Sequence, residues 1–280
     1  MTSSRDNATA DAFSTSWNNL PEGSVYTREQ YADWMAPLVE TDIRGKSVVE
    51  LGCGNASLLM HTAAWSPRRL VGVDLGASVV SARANMAHTG HLDCNIVQAD
   101  LTTFDSDGFD IAYCIGVLHH LKQPQAGFDA LVRNVCPGGR FHGWVYAREG
   151  NALVRMIVEP TRRIACRLPW WVNKYLIATP MVLPYYLYAK SLSLLSDGGR
   201  RRSAGWLRQL PLFDYSLWIA KRGFSFFRHV AFDQLVTPQT AYIARSEVEG
   251  WLASNPRIDP DTTYVILRNG NSWKFGGSVR

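Results

Sequence analysis

From residue 47 onward, the hydrophobic positions alternate between two periods. Short β-branched or apolar runs occur at SVVEL (47–51), RLVGVDL (69–75), 94–98, FDIAYCI (109–115) and RFHGWVY (140–146), and they predict strands. Between them, 57–65, 77–88 and 124–135 read as helices, the last stopping at Pro137-Gly138-Gly139. Strands that alternate with helices predict a doubly wound α/β fold, a mostly parallel sheet with helices on both faces. Ahead of this pattern, TREQYADWMAPLVE (27–40) places Tyr31, Trp34, Met35 and Leu38 at helical spacing. The first twenty residues are polar and predict a loose segment.

The alternation breaks after 147. Residues 148–202 are basic and aromatic, and Pro160, Pro169, Pro180 and Pro184 interrupt them. The core pattern resumes near 225. Ser246 and Glu249 have capping-box spacing and predict a helix, SEVEGWLAS. In TTYVILRNGNSWKFGGSVR, Asn269-Gly270 predicts a hairpin, so the final strand runs antiparallel to the one before it. The expected organisation is an N-terminal segment with a cap helix (1–44), a core (45–147), a helical insertion after strand 5 (148–224) and the returning core (225–280).

At 280 residues and 46% hydrophobic content, the chain can bury a large core without a covalent staple. Cys53, Cys94, Cys114, Cys136 and Cys166 form no CxxC pair, which predicts reduced thiols and no metal site. With no apolar leader at the start, this reading places the chain in the cytoplasm. The net charge of +5 is unevenly spread. Residues 1–147 carry ten Lys/Arg against fifteen Asp/Glu, whereas 148–202 carry ten against three. A negatively charged partner should therefore meet the chain in the insertion.

Candidate chemistry concentrates where the strands end. In VVELGCGNAS (48–57) a strand runs into a glycine-rich turn, and Gly52 and Gly54 allow a ligand close to the main chain. A lone G-x-G is also compatible with an ordinary turn. A dinucleotide fingerprint would need a third glycine at 57, where Ser57 stands. Glu50 places an anion where a pyrophosphate would be repelled and a cationic amine welcome. Asp74, twenty residues past Gly54, has the spacing of a carboxylate that accepts from ribose hydroxyls. Asp100 could accept from an adenine amino group.

ELGCGNAS, VDLG, QADL, FDIAYCIGVLHHL and CPGGRF, in this order and spacing, resemble the successive motifs of class I, Rossmann-like methyltransferases that use S-adenosylmethionine (SAM). The resemblance covers about residues 45–146 and implies a seven-stranded sheet with an antiparallel last strand. It also implies SAM as cofactor, with S-adenosylhomocysteine as its product. Carried over by position, Glu50 would hold the SAM amino group. Gly52, Cys53, Gly54 and Asn55 would pass under the methionine part, Asp74 with Leu75 would bind the ribose, and Asp100 with Leu101 would bracket the adenine. The backbone at Cys114 and Ile115 would face the sulfonium, and Tyr26 could close over the cofactor. Ala56 stands where the family has its third glycine.

Methyl transfer to a hydroxyl also needs a base. His119 follows the fourth strand, at the end where open α/β sheets bind ligands, while His120 reads as a packing residue. His229 in FFRHVAFDQL is the other candidate, with Asp233 as its orienting partner. For each, a structural role is the commoner reading. The insertion has three readings: a lid over an apolar pocket, a contact at the inner face of a membrane, or a homodimer interface. Its longest uncharged run, Tyr175 to Ala189, is short of the ~20 residues a spanning helix needs. Arg200, Arg201 and Arg202 read as a solvated loop. The leading expectation is methylation of a small apolar or aromatic acceptor on O or N, ahead of C. A lipid-like acceptor at a membrane surface comes next. Against nucleic acid stand the acidic core and the lack of an NPPY-like motif. A SAM-binding scaffold without catalysis, and a nicotinamide dehydrogenase, complete the alternatives.

Overall fold

A computed structural model describes residues 4–18, 25–91, 93–106, 108–197, 207–210 and 212–280, so Arg200, Arg201 and Arg202 lie outside the described residues. The chain divides into two compact units. The first comprises Met1–Tyr146, Gln239–Ile266 and Trp273–Arg280, and the second Ala147–Pro238 and Leu267–Ser272.

The first unit is built on a seven-stranded sheet. Its strands are β1 (Ser47–Leu51), β2 (Arg69–Asp74), β3 (Cys94–Gln98), β4 (Phe109–Ile115), β5 (Val135–Tyr146), β6 (Ile258–Arg268) and β7 (Ser272–Val279), in the order β3-β2-β1-β4-β5-β7-β6. β1 to β5 pair in parallel, with Glu50 in register with Gly72 on one side and Tyr113 on the other. The central strands are buried on both faces, which is why SVVEL and FDIAYCI read as continuous apolar runs. β6 and β7 form the expected hairpin. Asn269 and Gly270 both take positive φ (50° and 68°), and the Asn271 amide donates to the Arg268 carbonyl, closing a two-residue turn.

Several elements depart from the sequence expectation. The first twenty residues contain a helix, α1 (Ser4–Asn18). Its anchors are short and polar: Ser14 Oγ accepts from the Ser78 amide and Asp6 Oδ1 from the Lys122 amide, while Phe13 packs edge-on to His120. Such contacts leave no hydrophobic period to read. The predicted helix 27–40 is split into α2 (Arg28–Met35) and α3 (Glu40–Ile43), since Pro37 has no N–H to continue the first. A Thr27–Gln30 capping box opens α2. After them along the chain come α4 (Leu59–Ala63), α5 (Val79–Ala87) and α6 (Pro124–Arg133). β5 starts at Val135 and absorbs Pro137-Gly138-Gly139 as a bulge, because its register with β4 jumps from Phe109↔Val135 to Ile111↔Arg140.

The second unit holds α7 (Ala152–Ala165), a π-helical segment (Val172–Ala178), α8 (Thr179–Asp197), α9 (Phe213–Ala220) and α10 (Phe224–Val236). α10 packs on α7, the π segment and α8, and α9 packs on α8. Tyr185 sits among Tyr188, Tyr215 and Phe227, and its hydroxyl bonds to Ser216. Residues 225–238, read from sequence as returning core, cluster with this unit. Back in the first unit, α11 (Arg245–Ser254) is capped at Ala244, two residues before the expected cap Ser246. Glu247 accepts from the Ala244 amide at 2.9 Å, and Glu249 instead pairs with Arg245.

Candidate functional site

The site forms along one edge of the sheet, where the strands end. β1 runs into a turn in which Gly52, Gly54 and Ala56 all have positive φ, of 83°, 54° and 68°. Gly52 has a second reason to be glycine: a Cβ there would run into Val117 in the segment after β4. Asn55 stiffens the turn, with Oδ1 accepting from the Ser57 amide and hydroxyl and its carbonyl accepting from Asn85. The alanine in place of a third glycine therefore adopts the glycine-like conformation at a strain of about 1 kcal/mol.

Asp74 ties this turn to the next. One oxygen accepts from the Gly54 amide (2.9 Å); the other accepts from the Gly76 amide (2.8 Å) and the Ser78 hydroxyl (3.2 Å). Burial raises its pKa, and these three donors oppose that rise. Asp100 follows β3 and uses Oδ1 to accept from the Thr102 amide and hydroxyl, with Leu101 buried behind it. Leu75 accepts from Gln98 Nε2 through its carbonyl. Cys114 and Ile115 end β4 and are buried. Tyr26 is half-buried ahead of α2, edge-on to Trp34 at 4.9 Å, and its carbonyl contacts His61 Nε2.

Glu50 is the most constrained group. It is 1% exposed, and Oε2 accepts from the Tyr113 hydroxyl at 3.0 Å. The Tyr113 hydroxyl is 2.6 Å from Thr62 Oγ1, which is 2.8 Å from the Tyr31 hydroxyl. Burial lifts the Glu50 carboxyl from its ordinary value to about 8; the Tyr113 hydrogen bond pulls it down and the Asp74 charge adds to the rise. Among the described residues no cationic side chain pairs with Glu50. A buried carboxyl so placed fits a cationic amine, which would favour its ionised form. Cys53 and Cys114 carry thiols pushed up mainly by burial, so both stay protonated and neither is a nucleophile. All five cysteines are free, and no group of His, Cys, Asp and Glu among the described residues is arranged to hold a metal.

The histidines separate. His119 lies in a 3₁₀ turn (Leu118–His120) after β4, fully buried, with its ring 4.2 Å from those of His120 and Tyr146 and 5.9 Å from Trp144. The returning chain pins this turn: Ala241 donates to the His119 carbonyl, and His120 Nδ1 contacts the Gln239 carbonyl and the Thr240 hydroxyl. His229 belongs to the second unit, on α10, with Nε2 3.3 Å from Asp233 Oδ2. The i,i+4 partnership expected from sequence is thus formed. Tyr113, Thr62 and Ser78 were not singled out in the sequence, and Tyr31 was read only as an apolar helix position. The β1–β4 register, which sets Tyr113 beside Glu50, is the signal that would have pointed to Tyr113.

A family described as "Methyltransferase domain" matches residues 49–141. The match takes in the glycine turn, Asp74, Asp100 and the end of β4; Tyr26 and the second unit fall outside it. Over 118 residues the chain is 30% identical to the ubiquinone biosynthesis O-methyltransferase of Coxiella burnetii, covering 41% of this chain and 50% of that protein. Over 183 residues it is 29% identical to the tRNA U34 carboxymethyltransferase of a Sulfurovum species, covering 62% and 59%. The chain spans about half the length of these curated relatives. Among solved structures, the magnesium protoporphyrin IX methyltransferase of Synechocystis, with S-adenosylhomocysteine bound, is similar at a TM-score of 0.55 and 13% identity, covering 99% of this chain and 98% of that one. That likeness is one of fold. The seven-stranded sheet, completed by the antiparallel β6–β7 hairpin, has the class I, Rossmann-like methyltransferase fold.

Proposed function

We propose that the chain is a SAM-dependent methyltransferase acting on a small apolar or aromatic acceptor. The observation that carries the cofactor part is Glu50, a buried carboxyl beside a glycine turn with no cationic side chain among the described residues to pair with. SAM, when bound, supplies an electrophilic methyl group on a sulfonium. Glu50 would hold its amino group, with Gly52, Cys53, Gly54 and Asn55 along the methionine part. Asp74 and Leu75 would take the ribose and Asp100 and Leu101 the adenine, while Cys114 and Ile115 would offer backbone toward the reacting end. Asp74 would serve through its remaining lone pairs, since both oxygens already accept protein hydrogen bonds.

The aromatic part of the reading rests on His119, Trp144, Tyr146 and Tyr242, whose rings pack near the ends of β4 and β5. Such rings favour a flat or apolar acceptor, and His119 is then the group to take a proton from a hydroxyl. His229, oriented by Asp233, is the second candidate base.

Two measurements test this. Calorimetry with SAM and S-adenosylhomocysteine should show binding that Glu50→Ala abolishes; no binding by the wild type rejects the reading. Incubation with methyl-labelled SAM and host extract, fractionated into small molecules, lipids and RNA, should label the small-molecule fraction. Label confined to RNA would replace the acceptor assignment.

A further inference from the structure

The second unit turns many apolar side chains outward. Among the described residues, eleven of the fifteen exposed large hydrophobics fall between 156 and 195. In α8, Leu183, Leu187 and Leu194 stand at i, i+4 and i+11, one face of a helix, and the last two are 59% and 75% exposed. Lys190 falls on the same face and is exposed. In α7, Met156 is 69% exposed, and the exposed Arg163 follows it on the same side of the helix. Trp171, between the two helices, is 51% exposed. α10 packs on both helices, so these side chains are the ones turned away from the unit's own core.

Charge selects the partner. From Pro160 to Ser196 the chain has no Asp or Glu, yet it has Arg162, Arg163, Arg167, Lys174 and Lys190. Arg162 is buried and donates to the Gln234 carbonyl, and Lys174 lies over the Trp170 and Phe232 rings. Arg163, Arg167 and Lys190 remain at the surface, with no carboxylate partner among the described residues. Exposed apolar side chains with cations among them and an exposed tryptophan match the layering of a lipid interface: anionic headgroups outside, acyl chains within. No helix among the described residues is long and apolar enough to cross a membrane, so such binding lies in the plane of the interface.

We infer that the outer face of α7 and α8 docks this chain on an anionic lipid bilayer. Arg163, Arg167 and Lys190 meet the headgroups, and Met156, Leu187 and Leu194 enter the acyl boundary. The inference rests on the second unit alone and stands apart from the methyl-transfer reading.

The test is sedimentation of the full chain with phosphatidylcholine vesicles and with vesicles that also contain phosphatidylglycerol. The expected result is binding to the anionic vesicles, several-fold weaker at high salt, and little binding to the neutral ones. R163E/R167E should lower the partition coefficient more than tenfold. L187E/L194E should abolish it, and both variants should melt close to the wild type because the altered side chains are exposed. Lipids brominated in the acyl chain should quench tryptophan fluorescence less in W171F. Equal affinity for both vesicles, or variants that bind like the wild type, would overturn the inference. So would a dimer in vesicle-free solution that L187E/L194E dissociates, since it would assign the face to a second copy.

Discussion

The Tyr113 hydroxyl donates to Glu50 Oε2 at 3.0 Å across the β1–β4 register, inside a core that reaches neither group with water. This bond stabilises the ionised form of Glu50 against the burial that disfavours it. Tyr113→Phe should therefore raise the Glu50 pKa further and weaken SAM binding by about tenfold, the usual scale for a hydrogen bond to a charged group. Calorimetric titration at neutral pH reads the change; an unaltered Kd would show that Glu50 does not carry the amino group.

The same carboxyl gives the unliganded fold a pH dependence with a defined sign. Glu50 ionises near 8 in the folded chain and near 4.5 in the unfolded one, so between those values the native state holds a proton that the unfolded state has released. Stability should fall as pH rises through this window, by up to about 1.4 kcal/mol per pH unit from this group. Urea denaturation of wild type and Glu50→Gln across the window measures it. The variant should lose most of the slope, and parallel curves would remove Glu50 as its source.

Binding of a cationic amine reverses that preference, so SAM should expel a proton from Glu50 at pH 7. Calorimetry in two buffers of different ionisation enthalpy should show heats that differ in proportion to the released proton, and the difference should vanish in Glu50→Gln.

At position 56 two effects oppose each other. Replacing Ala56 with glycine relieves a left-handed backbone strain of about 1 kcal/mol but removes a fully buried methyl worth about 0.8 kcal/mol. Ala56→Gly should thus stay within about 1 kcal/mol of wild type. Ala56→Val should cost more than about 2 kcal/mol, because it adds volume and a β-branched side chain at positive φ. Thermal melts of the pair decide this; a tolerated valine would mean that the turn is not held in this conformation.

With a hydroxyl acceptor in hand, His119→Gln should reduce kcat about a hundredfold and remove the ascending limb of the pH–rate profile. His229→Gln with an intact limb would leave His119 as the base. Loss of the limb in His229→Gln alone would transfer the role to the His229–Asp233 pair.

The strand ends were legible because the parallel strands are buried on both faces and so write themselves as unbroken apolar runs. SVVEL and FDIAYCI were delimited to the residue. The Asn269-Gly270 turn was equally plain, since few residues adopt two successive positive φ values. Elements held by polar contacts were not. α1 has no apolar period, and its Ser14 and Asp6 bonds reach partners more than sixty residues away.

The sequence by itself determined that Glu50, the glycine turn and Asp74 belong together, because their spacing is tied to a strand, a turn and a helix in local succession. What the tertiary structure alone decided is how those groups are tuned. The Tyr31–Thr62–Tyr113–Glu50 hydroxyl chain, the Asp74 bonds to Gly54 and Gly76, and which side chains of α7 and α8 face outward depend on register and packing. Those bring distant positions into contact and leave no periodic trace along the chain.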